Sequence, residues 1–434
     1  MILTLHSVSK LSFFPLTFKL ARLRISAREF LRILKTVFED TQIAPSTDFR
    51  GLFVHAWDIS EDKEDIVNWM GEAGLNVMCL AVNYHHGWFI HPGSSSHRAF
   101  MTEGDVCYFH PQLSFYRETS LRPKVSKLTE KVDLLRAAVE ALPKDFRLVG
   151  WTIGTHNTDF GAEQPHLTVQ NVYKDRLPHA LCISQRDVRQ YLKALCRDLA
   201  TNYPFWGLQL EAFGWMGFPH GHHHERDLVG LLPIEQDLMG LCFCEACSRE
   251  AGMSDIDVDE ARSIVKNTLD DAFREAPQRP PHHPELLRDL VDMKPELGRF
   301  LAWRESFGRQ LITEIKNESL RGTECRLLLQ SEFDPQLKDV VDGFATASYR
   351  KTPGETAAIC QSARLRAKDW KGLLQCFVQL GMGTPASSEE LHQIIAAVYD
   401  SGCNGINFYN HSEAPPKMLG WLKAVLPSVI NARR

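Results

Sequence analysis

The chain has no apolar run approaching the roughly 20 residues that a membrane-spanning helix needs, so the sequence argues against a helical membrane span. It has little imbalance of charge: 49 Lys and Arg against 54 Asp and Glu leave a net −5. That argues against a nucleic-acid-binding surface as the main activity. Neither nucleic acid nor membrane is therefore an expected partner. No glycine-rich loop follows the first apolar stretch, where "HAWDISEDKED" (55–65) is acidic instead, and this disfavours a dinucleotide-binding fold. Histidine is plentiful but never falls in an H-E-x-x-H motif. The 11 cysteines are an odd number in a large chain. They fit a reducing compartment, hence the cytoplasm, better than a disulfide framework.

What is present divides in two. Residues 1–50 form a basic extension, almost free of acids until Glu29. Its composition fits an organelle transit peptide, a basic amphipathic surface helix or an extra helix packed on the domain. From Gly51 to the C-terminus, short apolar runs alternate with amphipathic segments. The candidate strands are "GLFVHAW", "LNVMCLAVNY", "RLVGWTIG", "GLQLEAF", "CRLLLQSEF", "GFATASY", "GLLQCFVQL" and "GINFYN". Each is apolar on both faces, as buried parallel strands are. Among the helices, "KVSKLTEKVDLLRAAVEAL" carries one stripe from Val125 to Leu142. Ser184 with Asp187, and Ser387 with Glu390, look like capping boxes, and Gly402 supplies a stop. Strand–helix repeats to about eight strands predict an α/β fold, a (β/α)8 TIM barrel, in preference to a doubly wound open sheet. Long insertions follow the second and fourth strands, the latter helical at about 216–322.

In such a barrel, chemistry collects where strands end. The predicted ends supply Asp58, Tyr84, His85, His156, Asn157, Trp215, His223, Tyr409 and Asn410 as candidate ligand-binding residues. Aromatic faces beside amides and imidazoles suit a polyhydroxylated ligand, a small sugar or an oligosaccharide. Glycosidic hydrolysis commonly needs two carboxylates. Glu211 closes an apolar strand, where desolvation would raise its pKa and suit it to acid/base work. Glu332 or Asp334 would be its catalytic partner, with Asp58 a third option. Rival readings are a metal-dependent sugar isomerase or epimerase, with Glu211 and strand-end histidines as ligands, and a sugar-binding barrel without turnover. A homo-oligomer is left open.

"LCFCEACSREAG" places Cys242, Cys244 and Cys247 within about a helical turn, a spacing that lets three thiolates converge on a structural zinc. Cys107, Cys182 or a loop histidine could be the fourth ligand, while three small core residues are the plain alternative. The stretches "AVNYHHGWFIHP", "WTIGTHNT", "LEAFGWMGFPHGHHHERDLVG" and "LCFCEAC" resemble, in order, a group of bacterial TIM-barrel proteins classed as glycoside hydrolases on their fold. Separately, a strand-four Glu followed by C-x-C-x-x-C is similar to the zinc-bearing family 42 β-galactosidases. That resemblance implies Glu211 as acid/base and four cysteines on zinc. It also implies a strand-seven nucleophile, but "LLQCFVQLGMG" offers Gln379 and no acid, and Leu210 stands where that clan has Asn.

Overall fold

In the computed structural model, residues 48–95, 98–220 and 227–433 are described. The extension through residue 47 and the candidate His223 lie outside them. Eight parallel strands close into a barrel: β1 (Phe49–Val54), β2 (Val77–Ala81), β3 (Arg147–Ile153), β4 (Gly207–Glu211), β5 (Arg326–Leu329), β6 (Gly343–Ser348), β7 (Leu373–Gln379) and β8 (Gly405–Tyr409). Each strand pairs with its sequence neighbours, and β1 closes against β8, with Gly51 opposite Asn407. These are the eight predicted runs.

The pleat sends alternate residues into the barrel. Gln375 of β7 donates to Gln209 of β4 at 2.6 Å, a bond that crosses the interior between strands that are not neighbours. Phe53 of β1 meets Trp151 of β3, Phe377 of β7 and Tyr409 of β8 with ring centroids 4.9, 5.1 and 5.4 Å away. A Cβ at Gly51 would stand 2.6 Å from the Asn407 side chain, so only glycine lets that amide occupy the interior there.

Among the described residues, twelve α-helices accompany the strands: α1 (Ala56–Glu72), α2 (Leu134–Ala141), α3 (Thr158–Glu163), α4 (Arg186–Asn202), α5 (Pro233–Met239), α6 (Glu245–Gly252), α7 (Val258–Glu275), α8 (Leu287–Met293), α9 (Pro295–Glu314), α10 (Pro353–Arg366), α11 (Ser388–Asp400) and α12 (Pro416–Asn431). Thr352 caps α10 with Glu355 returning the bond and Pro353 at the first turn. Ser387 caps α11 as expected, but Glu390 bonds the Ala386 amide rather than that of Ser387. No α-helix joins β5 to β6. Trp370 fills that gap, its ring 5.4 Å from Phe333 and 5.1 Å from Phe344.

Three expectations are corrected. The stripe from Val125 to Leu142 is not one helix: Asp133 caps a helix that begins only at Leu134, and Leu128 and Val132 are exposed. Ser184 does not cap α4, whose cap is Gln185. The Ser184 hydroxyl instead accepts from Cys247 Sγ at 3.3 Å. A third excursion, between β3 and α4, folds as an antiparallel hairpin of Thr168–Gln170 with Arg176–Leu181. Together with α5 to α9 it builds a second hydrophobic core, which includes Val169, Leu177, Ile234, Leu269 and Phe300.

Candidate active site

Glu211 is the only acid in the eight barrel strands, and it sits at the last position of β4. The indole Nε1 of Trp151 donates to its Oε2 at 2.6 Å. Since Trp151 packs on Phe53 inside the barrel, Glu211 faces inward too. Burial pushes its carboxyl above the usual range, and the Trp151 bond opposes this only in part. The next residue, Ala212, is left-handed at φ 56°. Thr155 holds that turn, its Oγ1 lying 2.7 Å from the carbonyls of both Ala212 and Gly214, which share its one hydrogen. Alanine in that region costs free energy, and the turn it buys ends the strand directly behind the carboxylate.

Tyr84, Tyr349 and Tyr409 lie about this carboxylate, whose charge raises each phenol further above a range already lifted by burial. They are therefore neutral hydroxyls. The Tyr84 and Tyr409 oxygens are 3.5 Å apart, and the Tyr349 and Tyr409 rings 5.5 Å. Beside them the imidazoles of His85 and His156 stack at 3.9 Å, with His220 edge-on to His156 at 4.5 Å. Burial, then the neighbouring imidazoles, hold His156 far below its ordinary value. Nδ1 of His85 meets the carbonyl of His86 at 2.7 Å and is the protonated nitrogen, so Nε2 is left as the acceptor.

The other candidates are placed differently. Asn157 caps α3, accepting from the Phe160 amide at 2.7 Å. Asp58 is 1% exposed, its Oδ2 bonded by the His55 amide and the Ser412 hydroxyl at 3.0 and 2.6 Å. Trp215 donates to Cys182 at 3.3 Å, away from the tyrosines. Glu332 accepts from Thr346 at 3.0 Å and is ion-paired with Arg366 of α10. Thr346 shares its strand face with Ser348, which bonds Thr356 of α10, so Glu332 is engaged on the helical side of the sheet. Asp334 is held by Arg309 of α9 at 2.6 Å. Neither carboxylate is brought to Glu211.

The acid that does face the tyrosines is Glu413, in the loop after β8. The Asn410 amide donates to it at 2.7 Å and receives the Glu413 backbone N–H at 2.8 Å. Burial raises its pKa, and its charge acts on both Tyr84 and Tyr409, as that of Glu211 does. The candidates read from the sequence end at Asn410. The signal available was an Asn followed three residues later by Glu, a side-chain-closed turn at the end of a strand.

The cysteines converge. Cys182, at the end of the hairpin, brings its Sγ to 3.7, 3.8 and 3.4 Å from those of Cys242, Cys244 and Cys247. Four thiolates 2.3 Å from a tetrahedral zinc would stand about 3.8 Å apart, so the donor set fits that ion. The amides of Gln170 and Cys247, the Gln185 side chain and the Trp215 indole all point N–H groups at the sulfurs. The half-buried Arg304 lies over Trp215 at 4.4 Å and feels the charge of all four cysteines. Cys107 lies elsewhere, bonded to the Phe109 carbonyl.

A cavity of about 750 Å³ opens at the opposite end of the barrel, beside Arg147, Trp206 and Arg326. Both guanidiniums lie over the Trp206 ring, at 5.2 and 4.5 Å. Chemistry in this fold collects at the other end, where Glu211 lies.

No protein-family model matches the chain, and no curated protein matches it in sequence. Among solved structures it is similar to a glycoside hydrolase family 20 β-N-acetylglucosaminidase, at 12% identity and TM-score 0.39, over 88% of this chain and 70% of that one. It is also similar to an endo-β-N-acetylglucosaminidase from Cordyceps militaris, at 8% and 0.36, over 93% and 96%. A bee venom hyaluronidase is matched at 12% and 0.24, over 38% of this chain and 63% of its own. None of these structures is a family 42 β-galactosidase. At such values the barrel itself, not the likeness, carries the fold.

Proposed function

We propose that the chain is a glycoside hydrolase whose proton donor is Glu211. The observation that carries this reading is the single inward-facing strand carboxylate, desolvated at the barrel mouth and held by an indole N–H. A carboxyl kept protonated above its ordinary range can deliver a proton to a leaving glycosidic oxygen near neutral pH. Glu413 is the second carboxylate of this reading, in place of Glu332 and Asp334, because those two are occupied by Arg366 and Arg309. Tyr84, Tyr349 and Tyr409 offer neutral hydroxyls and ring faces to a sugar, and His85 offers an acceptor. The four cysteines would hold a structural zinc that ties the second core to the hairpin.

The test is turnover by the purified full chain on chromogenic glycosides and oligosaccharides. Release of sugar by the wild type, lost in Glu211→Gln and in Glu413→Gln without a change in melting temperature, is the expected result. Turnover that survives Glu211→Gln would overturn it. Sugar-induced stabilisation without turnover would instead mark a binding barrel. Isomerisation dependent on an added divalent ion would mark the metal-dependent class. Among the described residues Glu211 belongs to no converging group of three or more His, Cys, Asp or Glu.

A further inference from the structure

We propose that Asp58, His91 and His411 form a second metal site, for a divalent transition ion of the zinc type. The three residues come from parts of the chain far apart: the start of α1, the excursion after β2, and the loop after β8. Their donor atoms all lie within 4.8 Å of one another. Asp58 Oδ1 is 3.3 Å from His411 Nδ1 and 3.8 Å from His91 Nε2. Two donors each about 2.1 Å from a tetrahedral ion stand about 3.4 Å apart, and these separations bracket that value.

The hydrogen bonding leaves these atoms facing one another. Asp58 is 1% exposed, and Oδ2 already has its two donors, while Oδ1 has no well-aligned hydrogen-bond partner, only the His411 imidazole at 3.3 Å. Nδ1 of His411 makes no well-aligned hydrogen bond either. A buried carboxylate oxygen without a well-aligned donor is costly, and two imidazoles converging on it from different loops are more than one ion pair requires. A cation bound to all three satisfies the oxygen and both nitrogens together. Imidazole with carboxylate suits zinc and its neighbours in softness, and three protein ligands leave one position for water.

The surroundings look like the outer shell of such a site. The Ser412 hydroxyl donates to Asp58 Oδ2, so it can only accept from His55 Nδ1 at 2.8 Å and Trp57 Nε1 at 3.1 Å. This chain orients the carboxylate as outer-shell partners orient metal ligands. His55 in turn packs on Tyr84 and Trp151, with ring centroids 4.9 and 5.2 Å away. The ion would brace the excursion carrying His85 against the mouth of the barrel.

The experiment is a Co²⁺ titration of the full chain after removal of its metals, followed by absorbance and by bound metal per chain. Cobalt on the four cysteines gives an intense thiolate charge-transfer band, whereas cobalt on Asp58, His91 and His411 gives only weak d–d bands. The wild type should bind an equivalent that lacks the thiolate band. His91→Gln should weaken that equivalent by at least the roughly 10–100-fold that losing an outer-shell partner costs, and should leave the thiolate band unchanged. Asp58→Asn should do the same. If Asp58→Asn fails to fold by circular dichroism, His91→Gln decides. A wild-type titration accounted for entirely by the thiolate band would overturn the proposal, leaving an ordinary Asp–His ion pair. So would full retention of the second equivalent in His91→Gln. Neither readout depends on the substrate or on glycoside turnover.

Discussion

Inside the barrel, the Gln375–Gln209 bond is enclosed by strands whose buried faces meet in one continuous core. In the layer built from the hairpin and α5 to α9, the core is smaller and its helices include several of only seven or eight residues. Such helices are marginal on their own. There, four thiols and a buried Glu235, clasped by Arg279 through two bonds of 2.7 Å, tie segments that the apolar contacts alone hold weakly. The difference teaches where each region is vulnerable. The barrel distributes its stability over many burials, whereas the second core concentrates it in a few polar junctions.

The sharpest way to break the contrast is at the cysteines. Cys182→Ser should release the metal, lower the melting temperature and open 233–314 to protease while the barrel strands stay protected from hydrogen exchange. Structural zinc in small domains is worth roughly 10 kcal/mol or more of apparent binding, so this is the largest effect. Uniform loss of protection across both regions would show that they are one cooperative unit. Next, Glu211→Gln should lower kcat by about 10²–10⁴-fold, the usual share of general acid catalysis, with stability unchanged or slightly raised. Removing the amide in Gln375→Ala leaves Gln209 unpaired in the barrel and should cost about 1–3 kcal/mol, measured by urea unfolding.

A smaller effect should appear with pH. Burial lowers the pKa of His85 and of His156 in the folded chain, against about 6.5 when unfolded. The unfolded state therefore takes up protons first as pH falls. Stability from these groups is complete above about pH 6.5 and declines below it, by up to about 1.4 kcal/mol per unit for each. His156→Gln should flatten that slope, and an unchanged slope would remove the histidine stack as its cause. Smallest of all, Glu332→Gln breaks a half-exposed ion pair with Arg366 and should cost at most about 1 kcal/mol, leaving turnover intact. A collapse of kcat in this variant would restore Glu332 to the catalytic pair.

Much of the barrel was legible because its signal is local. Eight apolar runs bounded by turns need no distant information, and Glu211 stands out as an acid at the end of such a run. Helix extent was harder. Val125, Leu128 and Val132 have helical spacing, yet a short strand and a 3-10 turn precede the cap at Asp133. Tertiary pairing of Val125 with Cys107 overrides the periodicity there. Asn157 and Trp215 read as ligand contacts by position, but a helix end and a sulfur claim their polar groups.

The sequence by itself determined the parallel barrel, the position of Glu211 and three of the four cysteines, because strand patterning and C-x-C-x-x-C spacing are properties of short segments. Only the tertiary structure decided that Cys182 completes the set and that Arg366 and Arg309 take Glu332 and Asp334. It alone brought Glu413 to the same tyrosines as Glu211, and Asp58 to His91 and His411. Those choices depend on which side chains from distant segments meet after the barrel closes. Burial, the strongest influence on their charge, exists only once it has.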